Sequence, residues 1–448
     1  MGMGSLRSAI QRVRESLFFV PAAVILLSVV AAVVVWYVDG NVAAVEEAPL
    51  LLQVSPAGKQ AIATAVAGAT ITVAAIVFSI TALSSQIASN QYSPRAVGGF
   101  FEDRFQQIVI GLVVGTFAFS LLVVADSAGE DASGVVRGSL SATIAVLLGI
   151  ASAIAIVAYI DHSLRRIRVG SVVRRIAEAT ARAVRREHRK RDHPSAADGP
   201  AGPEGTPVRI RADRQGWVQW IDGARLARSL PPGSVARVAV RVGELVAAGD
   251  LLATVWLQPG REAPARLVRR VVHVGTTRAI DRDPAFGIRQ MVDIALRALS
   301  PGINDPTTAV DVIQHLKIPL REILLSDAPD RIFAGADEQR VFLPEAPSRS
   351  DHIHSAFSEI RLAATSQPAV LRAILEASVD LLGELDEEDI AARGTALLEE
   401  ARLTFDAAVG AGYREPDLVR ILSAAEGLDL PMTEPPPGGE AAPGPASG

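Results

Sequence analysis

The chain has 448 residues, of which 49% are hydrophobic and 21% are charged, and its mean hydropathy of +0.28 is higher than soluble proteins show. The formal net charge of −5 disfavours nucleic acid as a partner. Because the chain contains no cysteine, we exclude disulfide frameworks, thiol nucleophiles, thiolate zinc sites and iron–sulfur clusters.

Four apolar segments occupy most of the first 162 residues. A helix needs about 20 predominantly apolar residues to cross the roughly 30 Å hydrocarbon core of a bilayer. The segments lie at about residues 17–38, 62–87, 108–124 and 140–160. The sequence therefore predicts a transmembrane domain of four helices over residues 1–162. The first helix is expected to be an uncleaved signal anchor, because it is long and no clear small-residue cleavage site follows it.

Positively charged side chains are divided unequally between the two sides of these helices. One side carries only Lys59 and Arg137 in its loops. The flanks on the other side carry Arg7, Arg12, Arg14, Arg95, Arg104, Arg165, Arg166 and Arg168. Since Lys and Arg in short loops resist translocation, we predict a multi-pass protein of the inner (plasma) membrane with both termini in the cytoplasm.

Hydroxyl and amide side chains interrupt the second predicted span. Thr72, Ser79 and Gln86 follow one another at intervals of seven residues, which places them on one face of a helix. This face either packs against another helix or lines a water-filled path, and the three residues are our candidates for lining a pore. The span interiors contain no Asp, Glu, Lys or Arg, which argues against a proton relay or a charge-coupled pump.

A basic helix is predicted directly after the fourth span, at residues 163–192. Arginines near an anionic leaflet gain on the order of 1 kcal/mol each, so anionic lipids are candidate partners beside the bilayer itself. The alternative is a solvated helix that carries a stop-transfer signal. Residues 193–207 are rich in Pro, Gly and Ala and predict a linker, whereas residues 429–448 have the composition of a disordered tail.

The rest of the chain predicts a cytoplasmic α+β region. Residues 208–285 alternate in hydropathy between frequent glycines, so we expect a small β-barrel or sandwich module there. Residues 241–257 resemble the turn-rich half of biotinyl and lipoyl carrier domains, but no nearby lysine could carry either group. Residues 286–428 predict C-terminal helices. The predicted fold class is an α-helical polytopic membrane protein with this α+β region attached.

Two Asp-Pro pairs predict helix starts at Asp283 and Asp305. An aspartate caps the first turn of a helix, and proline is favoured at its first position. The polar residues around these helices form a candidate ligand site, consisting of Arg289, Gln290, Asp293, Asn304 and Asp305. Capping, intrahelical ion pairing and turn formation are the competing, purely structural roles for the same side chains.

Sequence motifs of catalysis are missing from the chain. It contains no phosphate-binding loop, dinucleotide fingerprint, HExxH zinc motif or GxSxG elbow, so we favour a protein without enzymatic activity and predict no cofactor. His352 and His354 come nearest to a metal cluster. Residues two apart share one side only in a strand, and their surroundings predict a helix, so we expect no metal site.

Two segments carry a resemblance to a known family. They are VFSITALSSQIASNQYSPR at residues 77–95 and FGIRQMVDIALRALSPGINDPTTA at residues 286–309. With the order of spans and soluble part, they make the chain similar to the bacterial membrane proteins called domain of unknown function 2254, over roughly residues 16–320. The resemblance implies the architecture and brings no activity with it.

Two functional hypotheses follow from these patterns. The first is a homo-oligomeric, passive channel for ions or small solutes, with the second span lining the pore and the cytoplasmic region regulating it. The alternative is a non-conducting scaffold or sensor, in which the four helices anchor a region that binds a cytoplasmic ligand or partner.

Overall fold

The computed structural model describes residues 19–41, 51–91, 104–127, 137–166, 169–187, 205–262, 264–426 and 428. The chain divides into two units, Met1–Arg168 and Val169–Gly448. The predicted tail at residues 429–448 and most of the predicted linker at residues 193–207 lie outside the described residues.

Long apolar helices make up the first unit. Their bounds are α1, Phe19–Asn41; α2, Pro56–Gln91; α3, Arg104–Ser127; and α4, Leu140–Arg166. Each contains a segment long and apolar enough to cross a membrane, so the prediction of four transmembrane helices is confirmed. A short antiparallel pair of strands precedes α2 and α4, with β1 at Leu52–Val54 and β2 at Arg137–Ser139.

Two glycines bring α1 and α3 close together. A Cβ atom added at Gly111 would lie 2.9 Å from the Cβ of Val24, and one added at Gly115 would lie 2.5 Å from the Ser28 Oγ. Neither position has room for a larger side chain. The four-residue spacing of the glycines therefore allows the two helix backbones to approach.

Charged side chains connect the helices at the end of this unit that carries β1 and β2. Both carboxylate oxygens of Asp39 accept hydrogen bonds at 3.0 Å, one from the Leu140 N–H and one from the Ser141 N–H at the start of α4. Lys59 of α2 is buried and forms an ion pair with Asp126 of α3. Asp39 thus satisfies two first-turn amides of α4, and Asp126 compensates the desolvated ammonium group of Lys59.

The second unit begins with one helix, continues with mixed strands and short helices, and is mainly helical after residue 284. Its described helices of more than one turn are α5, Val169–Glu187; α6, Gly223–Ser229; α7, Ala265–Val271; α8, Pro284–Ala298; α9, Pro306–Leu325; α10, Arg349–Ala363; α11, Pro368–Leu382; α12, Thr395–Gly410; and α13, Glu415–Leu422. Helix α5 packs against α8 and α9, and its Val173 and Val184 are fully buried. Arg174 and Arg182 lie on its exposed side.

The described strands of the second unit form two sheets. Their bounds are β3, Thr206–Arg211; β4, Gly216–Ile221; β5, Val235–Val238; β6, Leu245–Val246; β7, Leu251–Leu257; β8, Val272–Gly275; β9, Ile332–Ala334; and β10, Arg340–Phe342. The larger sheet has the order β3-β7-β5-β10-β9, and the smaller has the order β6-β4-β8. One apolar core of Val, Leu, Ile and Ala side chains joins strands of both sheets.

Of the two forms predicted for this module, barrel or sandwich, the barrel is wrong, because neither described sheet closes on itself. Strand β10 pairs in parallel with β5, and β9 then forms the edge of the larger sheet through an antiparallel pair with β10. These two strands lie far downstream of the segment that the sequence assigned to the module. They occupy the free edge of β5 and so extend the larger sheet as an open one.

Both predicted helix caps are confirmed. The Asp283 carboxylate accepts a hydrogen bond at 3.0 Å from the Phe286 N–H, and α8 begins at Pro284. The Asp305 carboxylate accepts one at 3.1 Å from the Thr308 N–H. In each helix, the aspartate satisfies a first-turn amide that has no intrahelical partner.

Candidate functional site

A cavity of about 580 Å³ lies inside the second unit, between the sheets and the helices. We call it the Trp220 cavity. Its walls come from the end of α5, strand β4, the approach to α8, the segment that follows α9 and the loop that precedes α10. These segments are far apart in sequence, so only the folded unit assembles the cavity.

Apolar and aromatic side chains form part of the wall. Trp220 and Phe333 contribute rings, and Val242 and Leu343 contribute aliphatic surface. The Trp220 ring stacks on His273 with ring centroids 4.6 Å apart. Burial lowers the pKa of His273. The nearby positive charges lower it further, whereas the negative charge of Asp222 raises it. A neutral imidazole therefore supports the tryptophan at neutral pH.

Arg278 and Asp283 form a fixed pair at the start of α8. Two guanidinium nitrogens of Arg278 donate to the same Asp283 oxygen, at 2.7 and 2.9 Å. Gly243 has a φ of +82°, and a Cβ atom there would lie 2.6 Å from both partners. The Arg278 guanidinium also lies 4.8 Å from the centre of the Phe286 ring. This arginine is therefore held on three sides.

Glu187, the last residue of α5, contributes a titrating carboxyl group. The residue as a whole is exposed, but neighbouring protein atoms desolvate its carboxyl group. This desolvation, together with the negative charge of Asp283, raises the pKa of Glu187 to about 7, against the opposing effect of Arg282. The carboxyl group therefore changes charge near neutral pH.

A second arginine of the cavity wall, Arg349, is also fixed. Arg349 donates hydrogen bonds to the carbonyl of Ile323, at 3.3 Å, and to the carbonyl of Ser326 at the end of α9. Burial and the nearby charge of Arg393 lower the pKa of Arg349. Arg393 itself donates to the carbonyls of Leu324 and Leu325 at 3.4 Å. Both guanidinium groups thus cap the C-terminus of α9.

Comparisons with known proteins agree with this architecture. The chain matches the family described as predicted membrane protein, domain of unknown function 2254, over residues 14–379. The chain belongs to the DUF2254 family. Uncharacterised proteins of Mycobacterium bovis and Mycobacterium tuberculosis are 30% identical to it over 402 residues, which cover 87% of this chain and 76% of each relative. No solved structure matches it significantly.

None of the predicted ligand-site residues of this DUF2254 protein is part of the wall of the Trp220 cavity. Arg289 pairs with Asp293 at 2.6 Å and with Glu359 of α10. The Glu359 hydrogen bond and the charge of Asp293 raise the pKa of Arg289 against burial. Gln290 is buried in the same helix, α8.

The two remaining candidates lie in the turn between α8 and α9. Asn304 has a left-handed backbone, with a φ of 48°, and its Oδ1 accepts a hydrogen bond at 2.9 Å from Gln367 Nε2. Asp305 also accepts a hydrogen bond at 2.6 Å from the Thr308 hydroxyl, and the contacts to Thr308 lower its pKa. The structure therefore divides the five candidates between the α8–α10 contact and this turn.

The three pore-lining candidates all lie on the exposed side of α2. The hydroxyls of Thr72 and Ser79 donate to carbonyls of their own helix, each at 2.9 Å. Gln86 lies beyond the apolar segment Pro56–Leu83 that is long enough to span a membrane. The opposite side of α2 is buried, and Thr81 there lies 2.6 Å from the Tyr159 hydroxyl.

His352 and His354 do not share one site. His352 lines the Trp220 cavity, whereas His354 Nδ1 lies 2.8 Å from a carboxylate oxygen of the buried Glu400. Within the part of the chain that the structure describes, no group of three or more His, Asp or Glu side chains is arranged to hold a metal ion.

Sequence reasoning missed the Trp220 cavity and assigned Glu187 only to the basic helix. Two features of the sequence could have pointed to these residues. Trp220 lies among short predicted strands, and Glu187 lies at the end of an arginine-rich segment. Neither signal shows which distant segments come together. Asp283 was predicted as a helix cap, but its pair with Arg278, five residues upstream, was not, because residues 276–279 are not helical and carry no periodic signal.

Proposed function

We propose that this DUF2254 protein is a membrane-anchored sensor that binds a small molecule in the Trp220 cavity. The cavity itself carries the proposal. Its volume of about 580 Å³ falls in the range of small-molecule sites, roughly 300–1,000 Å³. Apolar surface with a few placed polar groups is the usual composition of such sites, and the Trp220 cavity combines aromatic rings with arginines and carboxyl groups.

The proposal gives the four helices the role of an anchor. The unequal distribution of arginines between the loops supports a cytoplasmic position for the end of α4. The second unit begins directly after α4, separated from it by residues 167–168, and would therefore also be cytoplasmic. The exposed arginines of α5, such as Arg174 and Arg182, support contact with anionic lipids at that surface. In the cytoplasm, soluble metabolites would have access to the cavity.

Native mass spectrometry of the full-length protein tests the sensor proposal. We expect a small molecule to copurify with the wild type and to be lost from Ala346→Trp, because Ala346 lines the cavity and an indole there fills it. Ala336→Trp is the matched control, since Ala336 lies exposed in the turn between β9 and β10. Equal occupancy in both variants, or no bound molecule in a wild type that also binds none from a metabolite panel, would contradict the proposal.

A second candidate function is the oligomeric channel, and the exposure of one α2 face favours it. Thr64, Gly68, Thr72 and Ser79 all lie on the exposed surface of the first unit, so several copies could enclose a path between these faces. This exposure supports a channel less strongly than the Trp220 cavity supports a sensor. The hydroxyls of Thr72 and Ser79 are already satisfied within the helix, so hydrocarbon is also an acceptable neighbour.

Liposome flux separates the two candidates. A channel predicts that Ser79→Leu blocks flux and leaves the oligomer intact in size-exclusion chromatography. Ala69→Leu, which adds an isobutyl group at another exposed position of α2, should conduct like the wild type. A wild type that does not conduct, or a Ser79→Leu protein that dissociates, removes the channel and leaves the sensor.

A further inference from the structure

Arginines dominate the polar wall of the Trp220 cavity, and they differ in how firmly they are held. Arg278 is fixed by Asp283, and Arg349 is fixed by carbonyls at the end of α9. The Arg241 guanidinium has no ion-pair or hydrogen-bond partner among the residues that the structure describes. Arg186 only approaches the exposed Asp281 at 3.7 Å. These last two cations are available to a ligand.

Arg331 is a third weakly held arginine. Its guanidinium lies 3.4 Å from Glu345, whose side chain is 88% exposed. Exposed ion pairs of this kind contribute little free energy. A ligand oxyanion could therefore replace Glu345 at small cost, and the planar guanidinium could bind it through two parallel hydrogen bonds.

The carboxyl groups of the cavity do not offset these cations equally. Asp283 is engaged by Arg278 and by the first turn of α8, and Asp327 lies 3.4 Å from Arg393. Glu187 carries a pKa of about 7, so it is partly neutral at cytoplasmic pH. The wall as a whole carries six arginines and five carboxyl groups, of which Asp330 and Glu345 are exposed, so its net charge is positive.

Part of the cavity wall is apolar and favours an apolar body. The Trp220 ring stacks on His273 and has the Arg282 guanidinium 5.0 Å from its centroid, and Phe333 and Leu343 extend the apolar surface. An inorganic anion would make no contact with this apolar surface. A flat or aliphatic group of metabolite size would bury it and gain the hydrophobic contribution.

We propose that the Trp220 cavity binds an organic oxyanion, a phosphate or carboxylate carried on an aromatic or aliphatic body, with Arg241, Arg186 and Arg331 contacting the oxyanion and Trp220 contacting the body. This inference rests on the sensor proposal and specifies its ligand class. The oxyanion could belong to a soluble metabolite or to a single-chain phospholipid, since both present the same group to the arginines.

Binding measurements on the full-length protein in nanodiscs test the ligand class, with three probes: adenosine monophosphate, lysophosphatidate and inorganic phosphate. We expect adenosine monophosphate or lysophosphatidate to bind in saturable fashion below about 1 mM. Adenosine monophosphate indicates a soluble source and lysophosphatidate a lipid source. Inorganic phosphate should bind at least about tenfold more weakly than the better probe, because it lacks the body.

Single substitutions assign the arginine contacts. Arg241→Gln should weaken binding of the better probe about tenfold, and Arg241→Lys should recover part of the loss. Arg209→Gln is the matched control, because Arg209 is exposed on β3 and is not part of the cavity wall. Circular dichroism and melting temperature confirm that each variant is folded.

Three outcomes would overturn the inference. They are saturable binding of none of the probes, equal affinity for inorganic phosphate and the organic probes, and equal loss of binding in Arg241→Gln and Arg209→Gln. If a neutral or cationic molecule instead copurifies and is lost from Ala346→Trp, the oxyanion inference fails while the sensor proposal stands. If nothing binds in either experiment, both fail.

Discussion

Glu187 and Asp283 place two carboxyl groups beside one wall of the Trp220 cavity, and their surroundings give them opposite roles. Asp283 accepts hydrogen bonds from Arg278 and from an amide of α8, which hold it in place. Glu187 is desolvated next to that negative charge, which raises its pKa. One carboxylate is therefore structural, and the other is free to change its protonation state.

The raised pKa of Glu187 makes stability depend on pH. The folded protein binds the proton more tightly than the unfolded chain does, whose pKa is near 4.5. The free energy of unfolding of the wild type therefore falls as pH rises from about 4.5 to about 7 and then levels off. Glu187→Gln has no such titration, so its advantage in melting temperature over the wild type should grow across this range. A constant difference between the two proteins would contradict the environment assigned to Glu187.

The two Asp-Pro caps should differ in their contribution to stability. Asp305→Ala removes a helix cap and should cost about 1 kcal/mol. Asp283→Ala removes a cap and also leaves Arg278 without its partner in a partly buried position, so it should cost about 3 kcal/mol. Asp283→Asn keeps an acceptor for the Phe286 N–H and should fall between these values. Chemical denaturation measures all three, and equal costs at both caps would show that the Arg278 pair contributes nothing.

The close contact of helices α1 and α3 depends on the absence of side chains at two positions. Gly111→Leu would place atoms where Val24 and Pro21 already lie. We expect this variant to lose about 1–3 kcal/mol through overpacking, measured as a lower melting temperature in detergent. Gly68→Leu is the control, because no atom lies within 4 Å of a Cβ added there. Equal melting of both variants would contradict the packing of α1 on α3.

The elements that the sequence predicted correctly are those whose signal is local. The apolar length of the four spans, and the capping of α8 and α9 by Asp283 and Asp305, depend only on neighbouring residues. The open sheet was missed because β5 pairs with β10, about one hundred residues away. Likewise, the Trp220 cavity joins segments from α5 to α10, and hydropathy periods carry no information about which segments meet.

For the molecule as a whole, the arrangement of arginines predicts its orientation. Reporter fusions after Gly129 and after Gly199 should report the outside and the inside of the cell respectively, because arginine-rich flanks stay in the cytoplasm. Alkaline phosphatase activity reads the first position, and green fluorescent protein fluorescence reads the second. An external signal at Gly199 would place the Trp220 cavity outside the cytoplasm and would contradict sensing of cytoplasmic metabolites.

The sensor account requires an anchor and a ligand site in one chain. The first unit supplies helices of membrane-spanning length, and the second supplies a cavity whose walls include both helices and sheets. A ligand that contacts the end of α5, strand β4 and the loop before α10 at once would stabilise their arrangement, which is how occupancy would be passed to the rest of the second unit.

Electron cryomicroscopy of the full-length protein in nanodiscs, with and without the best-binding probe, would locate the ligand itself. We expect density for a small molecule between Trp220, Phe333 and Arg241 in the probe-containing map, and its absence from Ala346→Trp prepared in the same way. A cavity that stays empty at saturating probe, or that the chain's own side chains fill, would contradict the assignment of this cavity as the ligand site.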